Sequence, residues 1–371
     1  MKGNSSMNHS VDKIVDKKQM KEIFEKRFSS LVAFIKTDDI SIQVVSFKYE
    51  DNLITITLPR HVMNFDNAII YVRDREKIIA SHVSLQMAGE DNSFVFEPRD
   101  VMICDVPRKE NRNKIENKNS AASVNIYVSN IISDFIIDES FIASRKRVDF
   151  IKNVLLQKIS LENALLKIVL LNEIHNDERM KYFRTERKPY FYEDLKDVHD
   201  NEKLKNNSDL KRYAFSIYPS DPALEDKKII SEISVPLLYK FMLPFGYMKV
   251  TSQAKLTDTD FTTVRKFGMS VSTLFTNDKN LIKNSEERIA VTDLSMHGLG
   301  IVFKDKRLIK HFKDDSLIVF TVFLPEEKQA TILCLVKNIS LVQNYIYRVG
   351  CEIINIESIG EVHYSEYLEK L

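Results

Sequence analysis

No stretch of this sequence approaches 18 uninterrupted apolar residues, so no transmembrane helix is expected. The opening MKGNSSMNHS is polar and lacks the apolar segment of a secretory signal, which points to the cytoplasm. An excess of one charge is missing too: 54 Lys and Arg stand against 53 Asp and Glu, for a net charge of +1. Proteins that hold nucleic acid or membrane surfaces by charge usually carry a basic excess or stripe, so neither partner is expected. Only three cysteines occur, Cys104, Cys334 and Cys351, with no CxxC and no His/Cys metal spacing. They read as buried thiols in a reducing compartment. Phosphate-cradling glycine loops of the GxGxxG or P-loop type are absent, the histidines show no HExxH, and no Ser/His/Asp set stands out. No catalytic residue, metal or cofactor is therefore assigned, and an enzyme is the least supported class.

What is present is ordinary globular composition, 44% hydrophobic and 29% charged over 371 residues, enough for two or three domains. Residues 11–36 place Ile14, Met20, Ile23, Phe24, Phe28 and Leu31 at helical spacing, which predicts a helix. ISIQVVSFKY (40–49) and LITITL (53–58) read as strands around a turn at Glu50-Asp51-Asn52, and NAIIYV, EKIIASHVSLQM and NSFVFE continue the pattern. Closely spaced strands without helices predict a small antiparallel barrel over about 37–104. The stretch 105–120 is almost wholly polar and reads as a linker or exposed loop, followed by a strand candidate, SVNIYVSNII (123–132).

The middle of the chain is mixed. Residues 148–171 carry apolar side chains on a helical period, and their last part fits a buried strand equally well. Residues 194–212 are polar and read as a surface loop. EISVPLLYKFMLPFGYMKVTS (232–252) reads as two strands with a turn near Pro244–Gly246. Thr257 with Asp260 three residues on is a capping-box pattern opening an amphipathic helix whose apolar face is Phe261, Val264, Phe267, Val271 and Phe275. From Arg288 the chain returns to strands and ends in a short helical tail.

Two short patterns carry chemistry. Asp293-Leu294-Ser295-Met296-His297-Gly298-Leu299-Gly300 joins two strands, and Arg108 with Arg112 are the only arginines of the chain spaced four apart. Each has a bland reading, a strand turn and a solvated linker. Together, in this strand order, they resemble the two signatures of the PilZ family: the eight residues from Asp293 match its D-x-S-x-x-G and Arg108/Arg112 its R-x-x-x-R. The likeness covers about 286–371 and includes "R-V-G-C-E-I" and a C-terminal helix. The first barrel resembles the N-terminal domain of flagellar-brake PilZ receptors, and about 230–276 resembles part of a GAF domain. These resemblances imply a multidomain α+β protein: an N-terminal helix and flagellar-brake-like barrel (11–104), a linker with the first PilZ strand (105–132), a GAF-like α/β domain (133–283) between or inserted, and a PilZ antiparallel β-barrel (284–371).

The implied function is that of a cytoplasmic receptor for cyclic di-GMP that rearranges its domains on binding and signals to an unidentified protein effector. The implied binding residues are Arg108, Arg112, Asp293, Ser295, Gly298 and Gly300, with Lys109 and His297 beside them. Arg can fork onto phosphate or onto guanine O6 and N7, and an ionised Asp accepts from guanine N–H groups. With no GGDEF or EAL string, the messenger would be sensed rather than made or degraded. Ordinary PilZ domains keep the two signatures a few tens of residues apart, whereas here a domain's length of chain separates Arg112 from Asp293. That departure favours an insertion, with 123–132 pairing to the strands around 288–303. Two other readings stay open. The GAF-like domain could sense a small molecule beside a degenerate PilZ barrel, or the chain could be an adaptor forming a homodimer through helices 148–166 and 257–275. Whether the site lies in one chain or between subunits also stays open.

Overall fold

The computed structural model describes residues 11–371 apart from 38–39, 61, 63, 66, 75–76, 90, 106–112, 116–125, 160–162, 175 and 227. Arg108, Lys109 and Arg112 fall outside the described residues. The chain mixes helix and strand and divides into two compact units: Met1–Ser129 with Arg288–Ser316 and Thr321–Leu371, and Asn130–Glu287 with Leu317–Phe320.

The first unit opens with strand β1 (Val11–Ile14), helix α1 (Lys17–Ile23) and a wider helical turn over Phe24–Phe28. The helix read over 11–36 is therefore confined to its middle. Asp16 caps α1 by accepting from the Gln19 N–H at 2.9 Å, and the residues before it are strand. Then follow β2 (Ala33–Lys36), β3 (Ser41–Gln43), β4 (Ser46–Glu50), β5 (Leu53–Thr57), β6 (Ile69–Asp74), β7 (Lys77–Ala88), β8 (Ser93–Pro98) and β9 (Val101–Asp105). ISIQVVSFKY is two strands rather than one, because the chain changes partner in its middle: Val44 N–H donates to Ala33 and Val45 N–H to Thr57. Asp51 and Asn52, at φ 51° and 61°, form the two-residue turn between β4 and β5, where left-handed conformation matches the strand twist. The strands pair in the order β3-β2-β6-β7-β8-β5-β4, with β1 on β9 and β9 on β7. Phe24 and Phe28 stack on Tyr49 and Phe47, at 4.8 and 5.4 Å between ring centres. Two further strands are β10 (Asn113–Lys114), which interrupts the expected loop, and β11 (Tyr127–Ser133).

The second unit contains α2 (Asp134–Ala143), α3 (Arg145–Leu156), β12 (Ala164–Leu170), α4 (Glu178–Glu186), β13 (Tyr190–Tyr192), α5 (Asn201–Asn206), α6 (Ser208–Arg212), α7 (Ala223–Asp226), β14 (Ser231–Tyr239), β15 (Leu243–Ser252) and α8 (Asp258–Asn277). The helical period from 148 thus ends at Leu156 and its ambiguous last part is strand. The polar stretch 194–212 is helical, not loop. Asp194, Asp200 and Asn207 each cap a short turn or helix there, and Leu195, Val198, Leu204 and Leu210 are buried beneath. The turn between β14 and β15 lies at Lys240–Phe241, with φ 47° and 59°, so Pro244 and Gly246 sit inside β15. Thr257 and Asp260 form the capping box of α8.

The sheet of this unit has the order β12-β15-β14-β13. One face carries Ile233, Val235, Met248 and Val250, all buried, and receives α8. Gly268 of α8 has no Cβ, which at that position would sit 2.9 Å from Val235 Cγ1; a side chain would push the helix off the sheet. The other face buries charge. Glu232 has no solvent exposure and takes both arms of Arg179 at 3.0 Å, with Tyr190, Tyr213 and Ser234 hydroxyls donating at 2.9, 2.8 and 2.9 Å. Burial alone would raise the Glu232 carboxyl, but the Arg179 guanidinium overrides it and holds the group below the usual carboxylate range. The ends of the unit lie side by side. Ile131 and Ser285 exchange backbone hydrogen bonds at 2.8 Å, and Asn284 donates to Asn130 at 3.1 Å.

The rest of the chain forms β16 (Ile289–Ser295), β17 (Gly298–Phe303), β18 (Leu317–Phe323), whose first four residues count with the second unit, β19 (Gln329–Val342), β20 (Ile346–Ile356) and helix α9 (Ser358–Glu369). With β11 these strands close a six-stranded antiparallel barrel in the order β11-β16-β17-β20-β19-β18. Tyr127 pairs with Ala290 and Val128 with Ile289, so the strand before the second unit lies beside the strand after it. Leu294, Leu299, Ile301, Val349 and Cys351 alternate inward and are fully buried. The N-terminal sheet joins the barrel through a short parallel pairing, Ser41 with Ser340 and Ile42 with Leu341.

Two outcomes follow. Glu232→Ala leaves the Arg179 cation buried without its main partner and should cost about 3–5 kcal/mol, read as a lowered midpoint in urea unfolding. His311, in the turn Lys306–His311, is 5% exposed, and burial, aided by Lys310, pushes its pKa down to about 4 from 6.5. Between those values the unfolded chain binds a proton that the folded chain refuses. Stability should therefore fall as pH drops through that window, and His311→Gln should fall less steeply in parallel denaturation series.

Candidate ligand-binding site

The motif from Asp293 forms the β16–β17 hairpin, with Met296–His297 as its two-residue loop. Ser295 pairs with Gly298, Leu294 with Leu299 and Asp293 with Gly300. Since side chains alternate, Leu294 and Leu299 point into the barrel while Asp293, Ser295, Gly298 and Gly300 share its outer face. A bulge between Val291 and Asp293 sets this phase. The pairing continues across the neighbouring strands: Gly300 opposes Gly350, which opposes Asn338, and Gly298 opposes Glu352. The result is a polar floor across β16, β17, β20 and β19.

Two glycines keep that floor low. A Cβ on Gly300 would lie 2.2 Å from Asp293 Oδ2, and one on Gly350 would lie 2.7 Å from Asn338 Nδ2. The carboxylate and the amide thus lie across the positions that side chains would fill. Asp293 is 5% exposed; Thr292 Oγ1 donates to its Oδ2 at 2.9 Å and Arg348 Nη2 reaches the same oxygen at 3.4 Å. Ser295 Oγ donates to the Gly298 carbonyl at 3.2 Å. From α9, the fully buried Tyr364 donates its hydroxyl to the Ser295 carbonyl at 2.9 Å, which ties the hairpin to the C-terminal helix.

Above the floor opens a pocket of about 930 Å³, whose other wall is the N-terminal sheet. That wall presents Phe34 and Tyr71, stacked at 5.5 Å and 17°, together with Lys36 and Arg73. Burial raises the Tyr71 phenol above its ordinary range. Lining cations Lys36, Arg73, Lys337 and Arg348 outnumber the lining acids Asp293 and Glu352. Part of this charge is balanced locally, since Lys36 meets Asp314 at 3.0 Å and Lys337 lies 3.9 Å from Glu352. A polar floor, an aromatic wall and a cationic rim suit a planar, anionic ligand.

Of the residues singled out from sequence, Asp293, Ser295, His297, Gly298 and Gly300 line this one pocket. Arg108, Lys109 and Arg112 lie outside the described residues. Asn113 and Lys114, which follow Arg112 directly, pair with Leu294 and Asp293, and Ile115 N–H donates to Thr292 at 3.0 Å. Sequence reasoning missed Arg348, Gly350, Asn338 and the whole N-terminal wall. Arg348, Gly350 and Glu352 alternate with the buried Val349 and Cys351, and a glycine inside a strand marks close approach, so that signal was present. Among the described residues, no group of three or more His, Cys, Asp or Glu could hold a metal ion, and no helix is long and apolar enough to cross a membrane.

The chain matches no family model and no curated protein. Among solved structures it is similar to the K. pneumonia MrkH–c-di-GMP complex, at 10% identity and a TM-score of 0.35, over 97% of this chain and 96% of that one. It is also similar to YcgR from Escherichia coli in complex with c-di-GMP, at 6% identity and a TM-score of 0.32, over 96% of this chain and 91% of that one. A third is the Bacillus subtilis inhibitor of motility MotI/DgrA, at 8% identity and a TM-score of 0.21, over 92% and 94%.

Gly300→Ala should displace the Asp293 carboxylate and cost about 1–3 kcal/mol as an overpacked contact, measured by chemical denaturation. A stability unchanged from wild type would mean that Asp293 does not lie across the glycine.

Proposed function

We propose that the chain is a receptor for cyclic di-GMP, built on a PilZ-type barrel, and that it acts as a switch. The observation that carries this reading is the glycine-lowered floor bearing Asp293 and Ser295, with Arg348 beside them and an aromatic, cationic wall opposite. Cyclic di-GMP has two guanines and two phosphates. Asp293 can accept from guanine N–H groups, and Arg348 can fork onto guanine O6 and N7 or onto phosphate. Phe34 and Tyr71 offer a face on which a purine can stack, and Lys36, Arg73 and Lys337 supply charge for the phosphates.

The arginine pair belongs to the same site in this reading. The segment that follows Arg112 is held on β16 beside Asp293, so Arg108 and Arg112, with Lys109 between them, precede a strand anchored at the motif. In this reading messenger binding changes the arrangement of the domains, and a protein effector in the cytoplasm reads that change. The N-terminal sheet takes the part of the flagellar-brake-like barrel (11–104), and residues 133–283 that of a GAF-like domain carried within the PilZ domain.

Calorimetric titration tests this directly. Cyclic di-GMP should bind with saturable heat, and neither GTP nor cyclic AMP should compete well. No heat at about 50 μM messenger, where a site with Kd near 1 μM would be almost filled, would sink the claim. Arg108→Ala, Arg112→Ala and Asp293→Ala should each weaken binding by about 1–3 kcal/mol, as expected for one guanine contact or one unpaired donor. Arg145→Ala and Arg147→Ala should bind normally. If they fail while the linker variants bind, the site lies elsewhere.

A further inference from the structure

The second unit contains a buried charge network that the messenger reading does not use. On one face of its sheet, Lys167, Lys249, Ser234 and Tyr190 stand in a row across β12, β15, β14 and β13. At the β12 and β15 end of that row a pocket of about 310 Å³ opens, lined by Lys167, Lys249, Arg179, Tyr247, Asp177 and Asp221. Arg179 is 4% and Lys249 8% exposed, so the pocket reaches charged groups that the fold has otherwise withdrawn from water. Buried ion pairs rarely stabilise a fold better than apolar packing would, so charge exposed only to a cavity is a marker of function.

The three cations of the pocket keep unused donor capacity, while two of its carboxylates already accept from neighbours. Asp177 is filled: Oδ1 accepts from the Arg179 and Met180 N–H groups at 2.7 and 3.1 Å, and Oδ2 from the Tyr247 hydroxyl at 2.6 Å. Asp221 Oδ2 accepts from Arg179 Nη2 at 2.9 Å and from Lys249 Nζ. Arg179 spends Nε and Nη2 on Glu232 and Asp221, which leaves Nη1 with no partner among the described residues. Lys249 Nζ has one partner for three N–H bonds, and Lys167 Nζ has none among the described residues. Burial, with Arg179 alongside, holds the Lys249 ammonium below the ordinary lysine range, a direction that an incoming anion would reverse.

We propose that this pocket binds a small oxyanion, a carboxylate or a phosphate, gripped by Lys249, Lys167 and Arg179. The volume sits at the lower end of the range for ligand pockets, which restricts the occupant to a small molecule. The site stands apart from the messenger pocket, and its test does not depend on that reading.

The full chain is titrated calorimetrically and by thermal melting with inorganic phosphate and, separately, with succinate, each to about 10 mM, ten times a Kd near 1 mM. Saturable binding of one anion, with a raised melting temperature, is expected. Phosphate alone would assign the site to phosphorylated ligands, and succinate alone to carboxylates. Lys167→Ala, at an exposed position, should melt as wild type without ligand and bind the anion at least about tenfold more weakly, 1.4 kcal/mol at room temperature. Lys249→Met should abolish binding; if it does not fold, Lys167→Ala decides. Affinity for cyclic di-GMP should be unchanged in Lys167→Ala. Binding of neither anion, or equal binding by wild type and Lys167→Ala, would overturn the proposal.

Discussion

β16 has hydrogen-bonded neighbours on both edges, and its register decides which side chains reach the pocket. One edge is shared in turn by β11, opposite Ile289 and Ala290, and by β10, opposite Asp293 and Leu294; the other belongs to β17. A slip of one residue would turn Leu294 outward and send Asp293 and Ser295 into an apolar interior. The penalty for burying a carboxylate there makes the slipped register improbable without any help from a ligand. The same constraint sets a condition on folding. Tyr127 and Val128 of β11 precede the second unit and β16 follows it, so the pairing that seats the motif is non-local. Contacts of that kind are made slowly, although closing a longer loop adds only about 0.6 kcal/mol per doubling of its length.

The motif hairpin was legible because its chemistry is local. Strand alternation puts Asp293, Ser295, Gly298 and Gly300 on one face whatever the rest of the chain does. The pairing of 123–132 with the strand at 289 was inferred from a missing first strand, an argument about topology rather than propensity. Other features escaped for physical reasons. The helices of 194–212 bury only Leu195, Val198, Leu204 and Leu210 among charged residues, too few to show a period in a short window. The turn at Lys240–Phe241 uses two residues in left-handed conformation that are rarely found there, while Pro244 and Gly246 drew the eye to the wrong place. Phe34, Tyr71 and Arg73 belong to strands separated from Asp293 by most of the chain, and no local pattern assigns them to its pocket.

The two units bury charge in different ways. Asp293 is nearly covered, and its partners include the neighbouring Thr292 hydroxyl and the half-exposed Arg348 at 3.4 Å. Glu232 is held by five donors, two from one guanidinium, in an enclosure of tyrosine rings. Saturated charge suits a fixed scaffold, and the pocket beside Lys249 lies where that saturation ends.

The paired ends of the second unit bear on how the chain tolerates a change in length. A segment whose first and last residues pair leaves its two flanking strands one strand spacing apart, whatever the length of chain between them. Length added within it at an exposed loop need not disturb the pairing of Tyr127 and Val128 with Ala290 and Ile289.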